Sequence, residues 1–117
     1  MYSKELLKGT LSAIILNLLA EQGRMYGYEI FTRVRELSDG KILLKDGSLY
    51  PALQKLTSDG LLSFKEEMAG GRVRKYYYLT AAGREKKQVH IEELKDFMGT
   101  LQKILFPEPR PVKMVGT

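Results

Sequence analysis

Two glycines in succession, Gly70-Gly71, separate two strand-like runs, Leu61 to Glu67 and Arg72 to Thr80. Adjacent glycines permit positive φ at both central positions of a tight turn, so the pair predicts a β-hairpin. A short amphipathic segment comes just before it, Gly47-Ser48-Leu49-Tyr50-Pro51-Ala52-Leu53-Gln54-Lys55-Leu56, and stops at Gly60. Arg72, Arg74 and Lys75 lie immediately past the turn. Helix, hairpin and basic turn in that order predict a winged helix-turn-helix, a module that reads DNA. The expected fold class is therefore mainly α with a small β-hairpin (α+β).

The rest of the chain reads as helices around that unit. Between Lys4 and Gln22, Leu7, Leu11, Ile14, Ile15, Leu18 and Leu19 recur at helical spacing, and Gly23 follows as a stop. Leu6, Leu16 and Ala20 broaden the stripe. A helix apolar on most sides must be buried on most sides, and a small domain rarely has the mass for that, so a partner subunit is expected here. A second helix runs from near Tyr26 to Gly40, with Ile30, Phe31, Val34 and Leu37 inside and Glu29, Arg33, Arg35 and Glu36 toward water. In the third, Leu49, Leu53 and Leu56 line one side. Pro51 suits a first helical turn, Ser48 or Asp46 can cap the exposed N–H groups, and Gly60 gives a left-handed stop.

In the second strand Val73, Tyr77 and Leu79 alternate with Arg72, Arg74, Tyr76 and Tyr78, so one face is expected to pack on the helices; Lys75 interrupts the apolar side near the tip. Thr80 caps a last helix from about Ala81 to Phe106. Within it Ile91, Leu94, Met98, Leu101 and Leu105 step by 3, 4, 3 and 4, a heptad seam that Phe97 and Ile104 widen. The seam can fold back on its own domain or pair with a second copy. It is long and follows a complete domain, so pairing is the expectation. Pro107, Pro109 and Pro111 end the helix. The domain plan is then residues 1–80 as the DNA-binding unit with the N-terminal helix also at the dimer interface, 81–106 as dimerisation helix and 107–117 as a flexible tail.

Composition narrows the chemistry. The 117 residues suffice for one small domain plus one extra element, and a 44% hydrophobic content supports a packed core. Formal net charge is +5 and the pI about 9.4, which fits a polyanionic partner. The longest apolar run, Ala13 to Ala20, is broken by Asn17 and too short to span a membrane, and the N-terminus has no signal-peptide layout. With no Cys there is no disulfide and no thiolate metal site, which suits a reducing cytoplasm. His90 is the only His, no Ser sits in a nucleophile motif, and the adjacent pairs Glu66-Glu67 and Glu92-Glu93 point in different directions. Gly70-Gly71 lacks the strand-loop-helix setting of a phosphate cradle. No catalytic residue, cofactor or metal is expected.

One resemblance covers roughly Gly9 to Gly83. Gly9-Thr10-Leu11, Tyr26-Gly27-Tyr28-Glu29-Ile30, Gly47-Ser48-Leu49-Tyr50-Pro51-Ala52-Leu53, Gly60-Leu61, Gly70-Gly71-Arg72, Tyr76-Tyr77-Tyr78-Leu79-Thr80 and Gly83, in that order, resemble the PadR family of transcriptional regulators. Each block alone is weak; the ordered set is specific. The resemblance implies a winged-helix repressor that binds operator DNA as a homodimer, its C-terminal helix packing against the first helix of the partner. Leu11, Ile14, Ile15 and Leu18 with Ile91, Leu94, Met98, Leu101 and Leu105 are the dimerisation candidates. The single short C-terminal helix resembles the subfamily with a small dimerisation element. Family members sense small, frequently aromatic molecules, some of them between subunits against an aromatic residue of the last helix. This chain has no Trp. Phe97 and Met98 beside Ile14 or Leu18 are its candidates for such an effector pocket, though they read more simply as heptad core.

The DNA chemistry follows without the family. A helix fits the major groove, and its N-terminal residues reach base edges. Ser48, Tyr50, Pro51, Gln54 and Lys55 face outward: Ser48 can donate to phosphate or base, Tyr50 extends a hydroxyl on a stiff arm, Gln54 can pair with adenine, and Lys55 can reach phosphate or guanine. Arg72, Arg74 and Lys75 form a cation cluster that can neutralise phosphates along or in the minor groove. Tyr26 can donate to a phosphate or simply pack. Tyr76, Tyr77 and Tyr78 imitate a base-stacking box, but strand alternation sends one face into the core. A winged-helix protein-interaction module with an acidic protein partner is the alternative. It predicts little duplex affinity at any salt, whereas a DNA binder loses affinity linearly in log salt.

Overall fold

Around the hairpin the backbone forms five helices, seen in a computed structural model that describes residues 2–109. The order is α1 (Lys4–Lys8), α2 (Leu11–Gln22), α3 (Gly27–Leu37), α4 (Asp46–Ser58), β1 (Leu62–Ala69), β2 (Arg72–Leu79) and α5 (Ala81–Leu105). It is the expected α+β winged helix-turn-helix followed by a C-terminal helix.

The single helix expected from Lys4 to Gln22 is two. Thr10 breaks it, with its N–H and its Oγ1 both donating to the Leu7 carbonyl, at 3.0 and 3.1 Å. A threonine hydroxyl that bonds the backbone locally competes with helix continuation. Beyond the break, α2 is the hub of the core. Ile15, Leu16 and Leu19 are fully buried with Ile30, Leu49 and Leu53, and α2 packs against α4, β2 and α5 of its own chain. This corrects the expectation that α2 needs a partner subunit for cover. It also withdraws Ile15 and Leu18, both closed into that core, from the expected dimer surface; Leu11 and Ile14 are only partly buried.

At α3 the Tyr26 N–H donates to Glu29 Oε1 at 3.1 Å, so Glu29 folds back on the helix start rather than facing water. The helix ends at Leu37, three residues short of Gly40. The cap expected for α4 does not form: Lys45 occupies the N-cap and no side chain bonds there, while Asp46 and Ser48 lie within the helix. Because the helix starts at Asp46, Pro51 falls in the second turn, where its missing N–H leaves the Gly47 carbonyl without its helical donor. Gly60 ends the segment at φ 77°.

Gly70 and Gly71, at φ 59° and 79°, form the two-residue turn, with Ala69 opposite Arg72. Two successive positive φ values match the twist of the strands they join. Leu62, Tyr77 and Leu79 reach the core. Val73, expected inside, is 60% exposed because the hairpin outruns the helices beneath it. Met25 adds a bridge to the free edge of β2, exchanging N–H···O bonds with Tyr77 at 3.1 and 2.9 Å.

Thr80 caps α5 as expected, accepting from the Gly83 N–H at 3.1 Å. The same hydroxyl donates to the Gly60 carbonyl at 2.6 Å, and the Thr80 N–H donates to the Leu61 carbonyl at 3.1 Å. Ile91 and Leu94 are half-buried, whereas Met98 and Leu105 are 60% and 56% exposed. At about 1.5 Å per residue α5 is roughly 37 Å long and runs past the domain that anchors it. Residues 107–109 have no regular structure; the remainder of the expected tail lies outside the described residues. No helix among the described residues is long and apolar enough to cross a membrane.

Candidate nucleic-acid interface

The outward face of α4 and the hairpin bound an open groove of about 630 Å³. Tyr50, Gln54, Thr57 and Ser58 of α4 form one wall, Phe64, Val73, Arg74, Lys75 and Tyr77 the other, and Tyr26 and Gly27 close the end. Helical spacing explains the first wall: Tyr50, Gln54 and Ser58 recur every fourth residue, opposite the buried Leu49, Leu53 and Leu56.

Aromatic rings hold the wing cations in place. The Lys75 ammonium lies 4.6 Å from the centroid of Phe64, which packs at 5.8 Å against Tyr77. The Arg74 guanidinium lies 4.4 Å from the Tyr26 centroid. Tyr26 meets Tyr76 edge-on at 5.4 Å, and the Arg24 guanidinium lies 4.4 Å over Tyr76. Such contacts fix a charged head while leaving it next to water. Arg24 Nη1 donates to Glu67 Oε1 at 2.7 Å. Chiefly through that hydrogen bond, the Glu67 carboxyl is lowered below its usual range and the Arg24 guanidinium is raised. Burial pushes the Tyr77 phenol up, with nearby Tyr50 adding to it.

Tyr50 owes its pose to a glycine. A Cβ on Gly27 would meet the Tyr50 hydroxyl at 2.7 Å, so the ring lies directly on the first turn of α3. Of the residues expected at the DNA site, Tyr26, Tyr50, Gln54, Arg74 and Lys75 share the groove, while Ser48, Pro51, Lys55 and Arg72 do not line it. Lys55 Nζ is paired with Asp59 at 3.3 Å. Ser48 lines a separate apolar groove of about 530 Å³ with Leu11 and Ile14. Leu18, Phe97 and Met98 are not on that wall. Thr57, Ser58, Phe64 and Val73 are groove residues that sequence reasoning missed. Ser58 was within reach, four residues after Gln54 on the same helix face. Arg24 carried no signal, because its partner lies 43 residues away.

A concave surface with cations on one wall, and hydroxyl and amide groups on the other, suits a polyanion that also presents base edges. Residues 15–89 match the Transcriptional regulator PadR-like family. The chain belongs to this family of DNA-binding transcriptional regulators. A solved transcriptional regulator from Clostridium thermocellum superposes with a TM-score of 0.80 at 29% identity, covering 86% of this chain and 98% of that one. An uncharacterized protein of Lysinibacillus sphaericus is 31% identical over 85 residues, 72% of this chain and 77% of that protein. The negative transcriptional regulator PadR of Bacillus subtilis is 33% identical over 73 residues. That match spans 62% of this chain but 40% of the Bacillus subtilis regulator.

Proposed function

We propose that this chain is a homodimeric repressor, and that each subunit grips one half of an inverted-repeat operator between α4 and the wing. The observation that carries the reading is the shared groove: Tyr50 and Gln54 stand across from Arg74 and Lys75, with Tyr26 at its end. In this reading Tyr50 and Gln54 face bases in the major groove. Tyr26, Arg74 and Lys75 take phosphates, and Ser48, Pro51, Lys55 and Arg72 flank the contact. The repressor assignment follows the resemblance to the negative regulator of Bacillus subtilis.

The dimer rests on α5. Beyond Leu94 its seam residues Met98, Leu101 and Leu105 face solvent together with Phe97, Ile104 and Phe106. An apolar stripe of that kind drives association. A second copy of α5, together with the partly buried Leu11 and Ile14 of α2, supplies the missing cover. A small aromatic effector would then sit between subunits near Ile14, Phe97 and Met98, and the protein would act in the cytoplasm.

In-vitro selection of bound duplexes tests the whole reading. Enrichment of an inverted repeat with half-sites about 10 base pairs apart, or a multiple of that, supports it. Recovery of unpaired half-sites removes the dimer, and no enrichment at all removes specific readout. On the selected duplex, Gln54→Ala should cost about 1–3 kcal/mol while leaving non-specific binding intact.

A further inference from the structure

On the outer face of the hairpin, an ion pair is formed that strand register does not dictate. Glu67 is the direct cross-strand neighbour of Arg74. Residues so placed have Cβ atoms about 4.5–5.5 Å apart, and opposite charges there pair readily. Glu67 instead accepts from Arg24, which stands just ahead of the Met25–Tyr77 bridge. Arg74 is left over the Tyr26 ring and has no ion-pair partner among the described residues.

We infer that Arg24 is a positioning residue for DNA binding: by engaging Glu67 it keeps Arg74 from being neutralised by its own strand partner. Its second contact acts in the same direction. The Arg24 guanidinium covers Tyr76, whose ring meets Tyr26, and Tyr26 is the platform on which Arg74 lies. Glu67, Arg24, Tyr76, Tyr26 and Arg74 thus form one continuous chain of contacts. Without Arg24, Glu67 is free to turn across the ladder and pair with Arg74, and the wing loses a phosphate ligand without losing the residue that provides it. The inference rests on the reading of the wing as a phosphate contact.

Arg24 and Glu67 side chains are 52% and 41% exposed, so substitution leaves the core untouched. The probe is a random-sequence duplex of about 30 base pairs, three helical turns, titrated against the full chain across a salt series. Arg24→Ala should weaken binding by roughly fivefold and lower the salt slope by about 0.9, the value of one phosphate contact. In the Glu67→Gln background the same Arg24→Ala change should cost less than about twofold, because the competing carboxylate is gone. Arg24→Lys, which keeps a cation beside Glu67, should retain most of the affinity. An equal loss in both backgrounds means that Arg24 meets DNA itself and overturns the positioning role, as does full affinity in the Arg24→Ala single variant. If Arg74→Ala leaves affinity and slope unchanged, the wing reading fails as well. Melting curves set the titration temperature well below unfolding for every variant, so loss of fold does not enter the comparison.

Discussion

Two apolar helices of this chain meet opposite fates. Five of the 12 residues of α2 are buried, whereas among the 25 of α5 only Gly83 is. The stripe of α2 is closed on several sides by α4, β2 and α5, while α5 is covered near its start and then leaves the domain. Periodicity identifies which residues avoid water. It does not say which element, or which molecule, provides the cover. For α2 the cover is the same chain; for the far half of α5 we propose a second copy.

The difference can be attacked from the buried side first. Leu16→Ala removes a side chain that is 1% exposed at the centre of the core, and should cost about 2–5 kcal/mol in urea denaturation. A loss below 1 kcal/mol would remove α2 from its central role. From the open side, Met98→Asp with Leu105→Asp should cost roughly 3 kcal/mol of subunit association while sparing the core of each subunit. Sedimentation reads it: a variant that remains dimeric, or a wild type that is monomeric at micromolar concentration, breaks the assignment of the open stripe to a partner.

A milder probe lies where the core meets the open groove. Gly27→Ala would press a methyl group on the Tyr50 ring and swing it away, at about 1 kcal/mol of affinity for the selected duplex. Unaltered affinity would mean that the pose of Tyr50 is irrelevant to readout. The smallest effect belongs to the exposed Arg24–Glu67 pair. The folded Glu67 carboxyl titrates below its unfolded value, so its contribution is present above the usual carboxylate pKa and is lost as pH falls through the lowered one. Comparing acid denaturation of the wild type with Glu67→Gln should show a slightly shallower acid limb in the variant, and identical limbs would dismiss the pair as a tether.

Much of this architecture was legible because glycine and threonine punctuate it. Gly60, the Gly70-Gly71 turn and the Thr80 cap sit where their backbone chemistry predicts. The break at Gly9-Thr10 was not read, since the apolar spacing runs straight through it, although Gly9 caps α1 and the Thr10 N–H and hydroxyl both turn back to the Leu7 carbonyl. Nor was the exposure of Val73, which alternates correctly but lies beyond the reach of the helices. At the groove, Tyr50 and Gln54 followed from the face of α4, and Arg74 and Lys75 from their nearness to the turn. Lys75 meets Phe64 within the hairpin, but the contacts that orient Arg74 join the chain before α3 to β1 and β2, and no local pattern encodes a pairing over such a separation.

Gly83 has no room for a side chain. A methyl group there would collide with the Leu61 carbonyl, and Thr80 ties the same turn to Gly60 and Leu61. The base of α5 is therefore clamped to the end of α4. A rotation of about 5° at the clamp would carry the far end of a helix roughly 37 Å long through about 3 Å. In the proposed dimer that far end is where the two subunits meet. The spacing of the two α4 helices in that proposed dimer would then depend on how closely Gly83 and Thr80 let the base of α5 approach Gly60 and Leu61.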